Sequence, residues 1–379
     1  MSVEQLGAAF DLLAAWHEGG VYVEHDGQGI ATGPGAAVAT GDVTAALAER
    51  PEGAVACGAV PWAGGGSLVL ADTQVRRTDP FVTTRIGPAT QPVLVTGLIP
   101  ADAFLDAELT MSPPPAVYAG AVAEAARRVR VGELRKVVLA RTIEVGGRVF
   151  DPRRLAHRLR AVDPHAYTFI APAAHGVLVG ASPELLVARR GGEVRTNPLA
   201  GSAPRSGDPI VDRANADRLI ASAKDREEHA VVVEAVAEAL EPLCVSLAWD
   251  REPVLQETPN VWHLSTRFRG HLGDPAPSAL DLALALHPTP AVGGAPADAA
   301  RDVLAQLEGF DRGSYAGPVG WVDADGNGEW AIALRCALLE GERATLYAGA
   351  GIVGASDPEA EVDETDRKFR AFLDALRWG

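Results

Sequence analysis

A chain of 379 residues, 47% of them apolar, can form two average domains or one large one and can bury a substantial core. Its net charge of -16 argues against nucleic acid or anionic membrane as partner, since both select basic surfaces, but leaves room for a small anion in a local basic pocket. The three cysteines, Cys57, Cys244 and Cys336, are widely spaced and outside any CxxC pattern, as expected of reduced thiols in the cytoplasm.

The first residues, MSVEQLGAAFDLLAAW, lack the basic start and apolar run of a signal peptide. No uncharged apolar run approaches the roughly 18 residues a membrane helix needs, so a soluble, cytoplasmic protein is expected. From residue 1 to about 110, short apolar runs (VYVEH, GAVACGAV, SLVLA, PVLVTGLI) alternate with Gly- and Pro-rich turns, the pattern of antiparallel strands. MSPPPAVYAG at 111–120 reads as a linker into a helix over AVAEAARRVRVGE. Further on, strands are predicted at 136–145, 166–171, 176–188, 317–323, 329–339 and 345–353. Helices are predicted at 151–161, 212–242, 278–286, 297–308 and 359–377. There is no internal repeat and no low-complexity tail. Strands and long helices mix without strict βαβ alternation, which predicts an α/β chain of the α+β kind, one large domain with antiparallel sheets.

Of the 34 basic residues, all but Lys136, Lys224 and Lys368 are Arg. A Lys kept against such a bias is a candidate for chemistry, because an ammonium can lose its proton and a guanidinium cannot. Lys136, at the head of a predicted strand in RKVVLAR, is the candidate base.

Two helices carry carboxylates on an apolar face. Asp225 and Glu228, at i and i+3, share a face with Val232, Ala235 and Ala239. Glu361, Glu364 and Lys368 form a stripe beside Phe369, Phe372 and Leu376. If both faces meet one pocket, they make a hard-oxygen site suited to Mg²⁺; the alternative is surface acids paired at i,i+4 with basic neighbours. Asp323-Ala-Asp325-Gly-Asn327-Gly328 starts like a Ca²⁺ loop, but Leu334 stands where its bidentate Glu belongs, so NG is read as a hairpin turn. His263 in VWHLSTRF, alone, reads as a core histidine, and GGG at 64–66 as a turn.

Taken together, RKVVLART, GASPELLV, NPLAGSAPR, KDREEH, VWHLST, LHPTPAVGG, FDRGSYAGPVGW, IALRCALL and AGAGIVGASDPEAEVDETDRK resemble the chorismate-utilising enzymes, in the family's order over about 115–379. The resemblance implies two stacked antiparallel sheets flanked by helices, with the site in a cleft. Residues 1–110 are then the strand-rich N-terminal part of the same fold, and 115–379 the chorismate-binding catalytic region. It also implies Mg²⁺ as cofactor, held by Glu228 and Glu364 with Asp225 and Glu361 as nearby or water-mediated partners. Arg335 and Tyr315 would bind the enolpyruvyl carboxylate. Leu199, Gly201, Ser202, His263, Ala291, Gly349, Gly351 and Lys368 would complete the substrate site. Ser202 stands where Thr is common in the family, keeping the hydroxyl.

Within the family, aminating members usually carry Gln at the position of Lys136, and some carry Lys at that of Ala200. Lys136 therefore favours water as nucleophile at C2 of chorismate, with Glu184 protonating the departing C4 hydroxyl. LHPTPAVGG, KDREEH and the GNGEW hairpin resemble the isochorismate-forming members of siderophore and menaquinone routes. Salicylate formation, with loss of pyruvate, stays open as the alternative. The resembling enzymes mostly act alone, so a monomer is expected.

Overall fold

The strand Lys136–Gly146 is buried along nearly its whole length, because apolar layers cover both of its faces. The computed structural model describes residues 12–51, 53–72, 74–77 and 109–377. The predicted strand PVLVTGLI lies outside them. Among the described residues there are eight α-helices: α1 (Val43–Ala48), α2 (Pro115–Arg130), α3 (Pro152–Val162), α4 (Pro209–Ala221), α5 (Ala223–Leu240), α6 (Ala279–Leu286), α7 (Ala297–Leu307) and α8 (Pro358–Arg377). Local chemistry starts several of them. Asp151 and Asp208 cap α3 and α4 ahead of a first-turn proline, and Ser278 with Asp281 forms a capping box on α6.

The strands pair antiparallel into two large sheets. The first runs Gly294–Ala295, Lys136–Gly146, Arg343–Ile352, Cys336–Glu340, Gly176–Ser182, Tyr167–Ala173, Tyr22–His25, Gln28–Thr32, Gln74–Arg77, with Leu109–Ser112 also on Lys136–Gly146. The second runs Cys244–Trp249, Phe268–Leu272, Glu193–Asn197, Leu185–Arg190, Gly328–Ile332, Pro318–Asp323, Val55–Ala59, Ser67–Ala71, Ala36–Ala39. One apolar core joins the inner faces, bringing Phe169, Leu178 and Tyr347 together with Leu186, Val194 and Trp330. Helices α3 and α8 cover the outer face of the first sheet, and α2 and α7 pack at its Lys136–Gly146 end.

Four expectations are corrected. Residues 111–120 are not a linker: a strand ends at Ser112 and α2 already begins at Pro115, since proline at a first helical position gives up an N–H that would be unpaired anyway. The helix predicted at 212–242 is two helices, because Ser222 leaves the helical conformation and caps α5 by accepting from the Asp225 N–H. The strands predicted at 176–188 and 329–339 each divide in two. One half lies in each large sheet, with the changes at Pro183-Glu184 and at Ala333–Arg335. The two changes sit side by side: the Ile332 N–H donates to Glu184 O at 3.1 Å and the Ala181 N–H to Arg335 O at 3.2 Å. The two large sheets are present as expected, and a small third sheet of Leu199–Pro204, Val261–Ser265 and Val254–Glu257 stands beside them.

A buried ion pair ties the Lys136–Gly146 strand to its surroundings. The Arg312 Nε donates to Glu308 Oε2 at 2.9 Å, and its other nitrogens donate to the carbonyls of Val292 and Val138, both at 2.7 Å. Glu308 accepts from the Ala140 N–H at 2.8 Å. With Arg312 3% and Glu308 7% exposed, Arg312→Met would strand a buried carboxylate. Urea unfolding is expected to show a loss of about 3–5 kcal/mol; a change below 1 kcal/mol would mean Glu308 finds another partner or a proton at little cost.

Candidate active site

The two places where strands change sheet open a cavity of about 620 Å³. It is lined by Glu184 from one change and by Leu334 and Arg335 from the other. Arg335 adopts a left-handed backbone, φ 48°, which turns its side chain off the strand line at a cost a non-glycine residue rarely bears. The small third sheet supplies Leu199, Gly201, Ser202 and His263; the long strand Arg343–Ile352 supplies Gly349 and Gly351. Ala291, Tyr315, Glu228 of α5 and both Glu364 and Lys368 of α8 complete the predicted residues that line it. Lys136, Asp225 and Glu361 stand behind the wall.

All three lysines meet carboxylates here. Lys136, fully buried, lies 3.0 Å from Glu228 Oε1 without a well-directed hydrogen bond. Lys224 donates to Glu361 Oε1 at 2.9 Å, and Lys368 to Glu364 Oε1 and to Gly349 O, both at 2.7 Å. Sequence reasoning singled out Lys224 as rare but assigned it no place in the site. It also passed over Tyr347, which stacks on Tyr315 at 4.9 Å between ring centroids and lines the cavity. Rarity was the available signal for Lys224; Tyr347, one residue of a buried strand, carried none.

The carboxyls differ in charge state because their surroundings differ. Burial pushes the Glu184 carboxyl up to about 7, opposed by the Leu199 N–H that it accepts at 3.1 Å and by the charges of Lys136, Arg335 and Lys368. Glu361 is raised by burial and by the neighbouring charge of Glu364. Burial acts on Glu364 in the same sense, but the Lys368 ammonium and hydrogen bonds from Lys368 and Ser202 outweigh it and hold Glu364 low. Asp225 is raised by burial, with the charge of Glu228 adding to it. His263 is pushed down to about 3 by burial and by the charges of Arg335 and Lys368, so it is neutral. Its Nδ1 lies 3.2 Å from Gly201 O, and Arg335 donates to its Nε2 at 3.3 Å, which fixes the Nδ1–H tautomer. Among the described residues no carboxylate lies at ion-pair distance from Arg335.

Two glycines are required by space. Gly201 has φ 72°, and a Cβ there would lie 3.0 Å from the Asp225 Cβ. A Cβ on Gly351 would come within 2.2 Å of Glu228 Oε1 and 3.0 Å of Lys136 Cε. Gly351→Ala is therefore expected to displace the Glu228 side chain and lower kcat about 10²-fold. The midpoint of thermal unfolding should fall as well, since moving Glu228 weakens its pairing with the buried Lys136; wild-type kcat would show that the position of Glu228 is immaterial.

Asp225, Glu228, Glu361 and Glu364 offer hard oxygens alone, and a neighbouring carboxylate charge adds to the upward push of burial on both Asp225 and Glu361. That donor chemistry fits Mg²⁺. In the arrangement seen, lysines cap three of the four, and among the described residues no three ligating groups surround a common point.

Residues 101–377 match the family model described as chorismate binding enzyme. The chain is 46% identical over 272 residues to isochorismate synthase DhbC of Bacillus subtilis (strain 168), covering 70% of this chain and 68% of that one. To isochorismate synthase EntC of Escherichia coli (strain K12) it is 45% identical over 257 residues, 67% of this chain and 66% of that one. A crystal structure from Bacillus anthracis, assigned as the 2,3-dihydroxybenzoate-specific isochorismate synthase DhbC, superimposes with a TM-score of 0.86 at 35% identity, covering 97% of this chain and 99% of that chain. By the match over most of its length and by these identities, the chain belongs to the chorismate binding enzyme family.

Proposed function

We propose that this chain is an isochorismate synthase, which adds water at C2 of chorismate and expels the C4 hydroxyl as the ring double bonds shift. One observation carries the reading: Glu184, a carboxyl that burial holds protonated up to about pH 7, shares a cavity with Arg335, a guanidinium with no carboxylate partner among the described residues. The cavity thus offers a proton donor and an anion receptor facing one volume. The relatives named isochorismate synthases support the same reading.

In this mechanism Arg335 takes the enolpyruvyl carboxylate in a bidentate fork, with Tyr315 held beside it by its stack on Tyr347. Glu184 gives its proton to the leaving C4 oxygen. Lys136, as the neutral amine at the moment of reaction, accepts the proton of the attacking water and becomes an ammonium, and Gly351 leaves space beside its side chain. Neutral His263 and the turn at Gly201 pack against the ring without adding charge. Glu228 and Glu364 would hold Mg²⁺, with Asp225 and Glu361 close by; when bound, the ion would neutralise the ring carboxylate and fix its position. We read the enzyme as a cytoplasmic monomer; its three cysteines are free thiols, two of them buried, and no described helix is long and apolar enough to cross a membrane.

The test is product analysis of protein with chorismate and Mg²⁺ near neutral pH, without ammonia. Isochorismate accumulating to an equilibrium with chorismate, and no pyruvate, is the expected result. Salicylate with stoichiometric pyruvate would replace the assignment by salicylate synthase. Turnover only on adding ammonia would overturn water as the nucleophile.

A further inference from the structure

A second cavity, of about 530 Å³, adjoins the first. Its walls are apolar: Leu159 and Val162 at the end of α3, Phe372 of α8, and Pro259 and Val261 from the turn leading into the third sheet. Three cations open onto it, Arg335, Arg367 and Lys368, against one carboxyl, Asp163. Even with Lys368 paired to Glu364, two guanidiniums face one carboxyl, so the balance is cationic. The Arg367 Nε is buried and finds no hydrogen-bond partner among the described residues. Arg335 and Lys368 line both cavities.

An apolar slot with a few convergent cationic donors selects a flat, largely apolar anion. We propose that the second cavity binds a small aromatic carboxylate, its ring against Phe372 and Val162 and its carboxylate on Arg367 and Arg335. A ligand there engages the guanidinium that the first cavity also presents, so it competes with the substrate's carboxylate. The competition rests on the reading of Arg335 given above; the binding itself does not.

Benzoate is the probe, titrated calorimetrically into the full chain and into Arg367→Met and Val162→Trp, each checked for folding by thermal unfolding. Val162 is 36% exposed, so an indole there fills the mouth without entering the core. Wild type should bind one benzoate; Arg367→Met should bind it at least about tenfold more weakly, the loss expected for one charge-assisted hydrogen bond, and Val162→Trp at least as weakly because the indole occupies the slot. Equal affinity in all three would place benzoate in the first cavity and overturn the site, as would no binding to wild type at millimolar benzoate. In turnover assays benzoate should raise the KM for chorismate in wild type far more than in Val162→Trp. An unchanged wild-type KM with calorimetric binding intact would overturn the competition. The binding titrations need no turnover, so they stand or fall apart from the assigned reaction.

Discussion

Lys136→Gln is expected to lower kcat for isochorismate formation about 10³-fold, the middle of the range for loss of a positioned general base. Gln cannot take a proton from water, and its shorter side chain withdraws from the cavity wall. It can still donate a hydrogen bond to Glu228, which Lys136 now meets at 3.0 Å. That donor matters, because a buried carboxylate left alone would destabilise the protein and obscure the kinetic result. Initial rates by chromatography, with thermal unfolding as control, decide the matter. A folded variant turning over at the wild-type rate would remove Lys136 from the mechanism.

Glu184→Gln should cost about as much, near 10³-fold, since the amide cannot protonate the leaving hydroxyl. It also makes a prediction about pH. Burial holds the carboxyl at about 7, so its acid form is present below that value and is lost as pH rises through it. Wild-type kcat should therefore fall on the alkaline side of about pH 7 with the titration of one group, and the residual activity of Glu184→Gln should lack that limb. An identical alkaline limb in the variant would assign it to a different group. The Leu199 N–H that now bonds Glu184 can bond the amide oxygen equally well, so the variant should fold.

These predictions concern residues whose types were legible in the sequence but whose setting was not. Glu184 and Arg335 each fall inside a stretch read as one strand, 176–188 and 329–339. Apolar strand pattern runs on both sides of each break, so the two-residue period masks Pro183-Glu184 and Arg335, where the chain leaves one sheet for the other. The breaks are stabilised by each other, through the Ile332–Glu184 and Ala181–Arg335 backbone bonds, and partners about 150 residues apart leave no local pattern. Ser222 shows the opposite case. Its capping signal was present before KDREEH, but the helical periodicity on both sides masked it.

The sequence by itself determined part of the elements and the chemical inventory. Apolar alternation placed the strands at 136–145, 166–171, 317–323 and 345–353, helical periodicity placed the helices at 151–161, 278–286, 297–308 and 359–377, and the scarcity of lysine marked the three side chains that meet acids in the site. Such features depend on neighbours a few residues away, where periodicity and capping act. The tertiary structure alone decided that Lys136 pairs with Glu228, Lys224 with Glu361 and Lys368 with Glu364. It also decided that Glu184 is buried deeply enough to keep its proton while Glu364, a few side chains away, is not allowed to. The charge state of a carboxyl depends on how much water is removed and which ammonium replaces it, and both are set by chain segments brought together from across the fold.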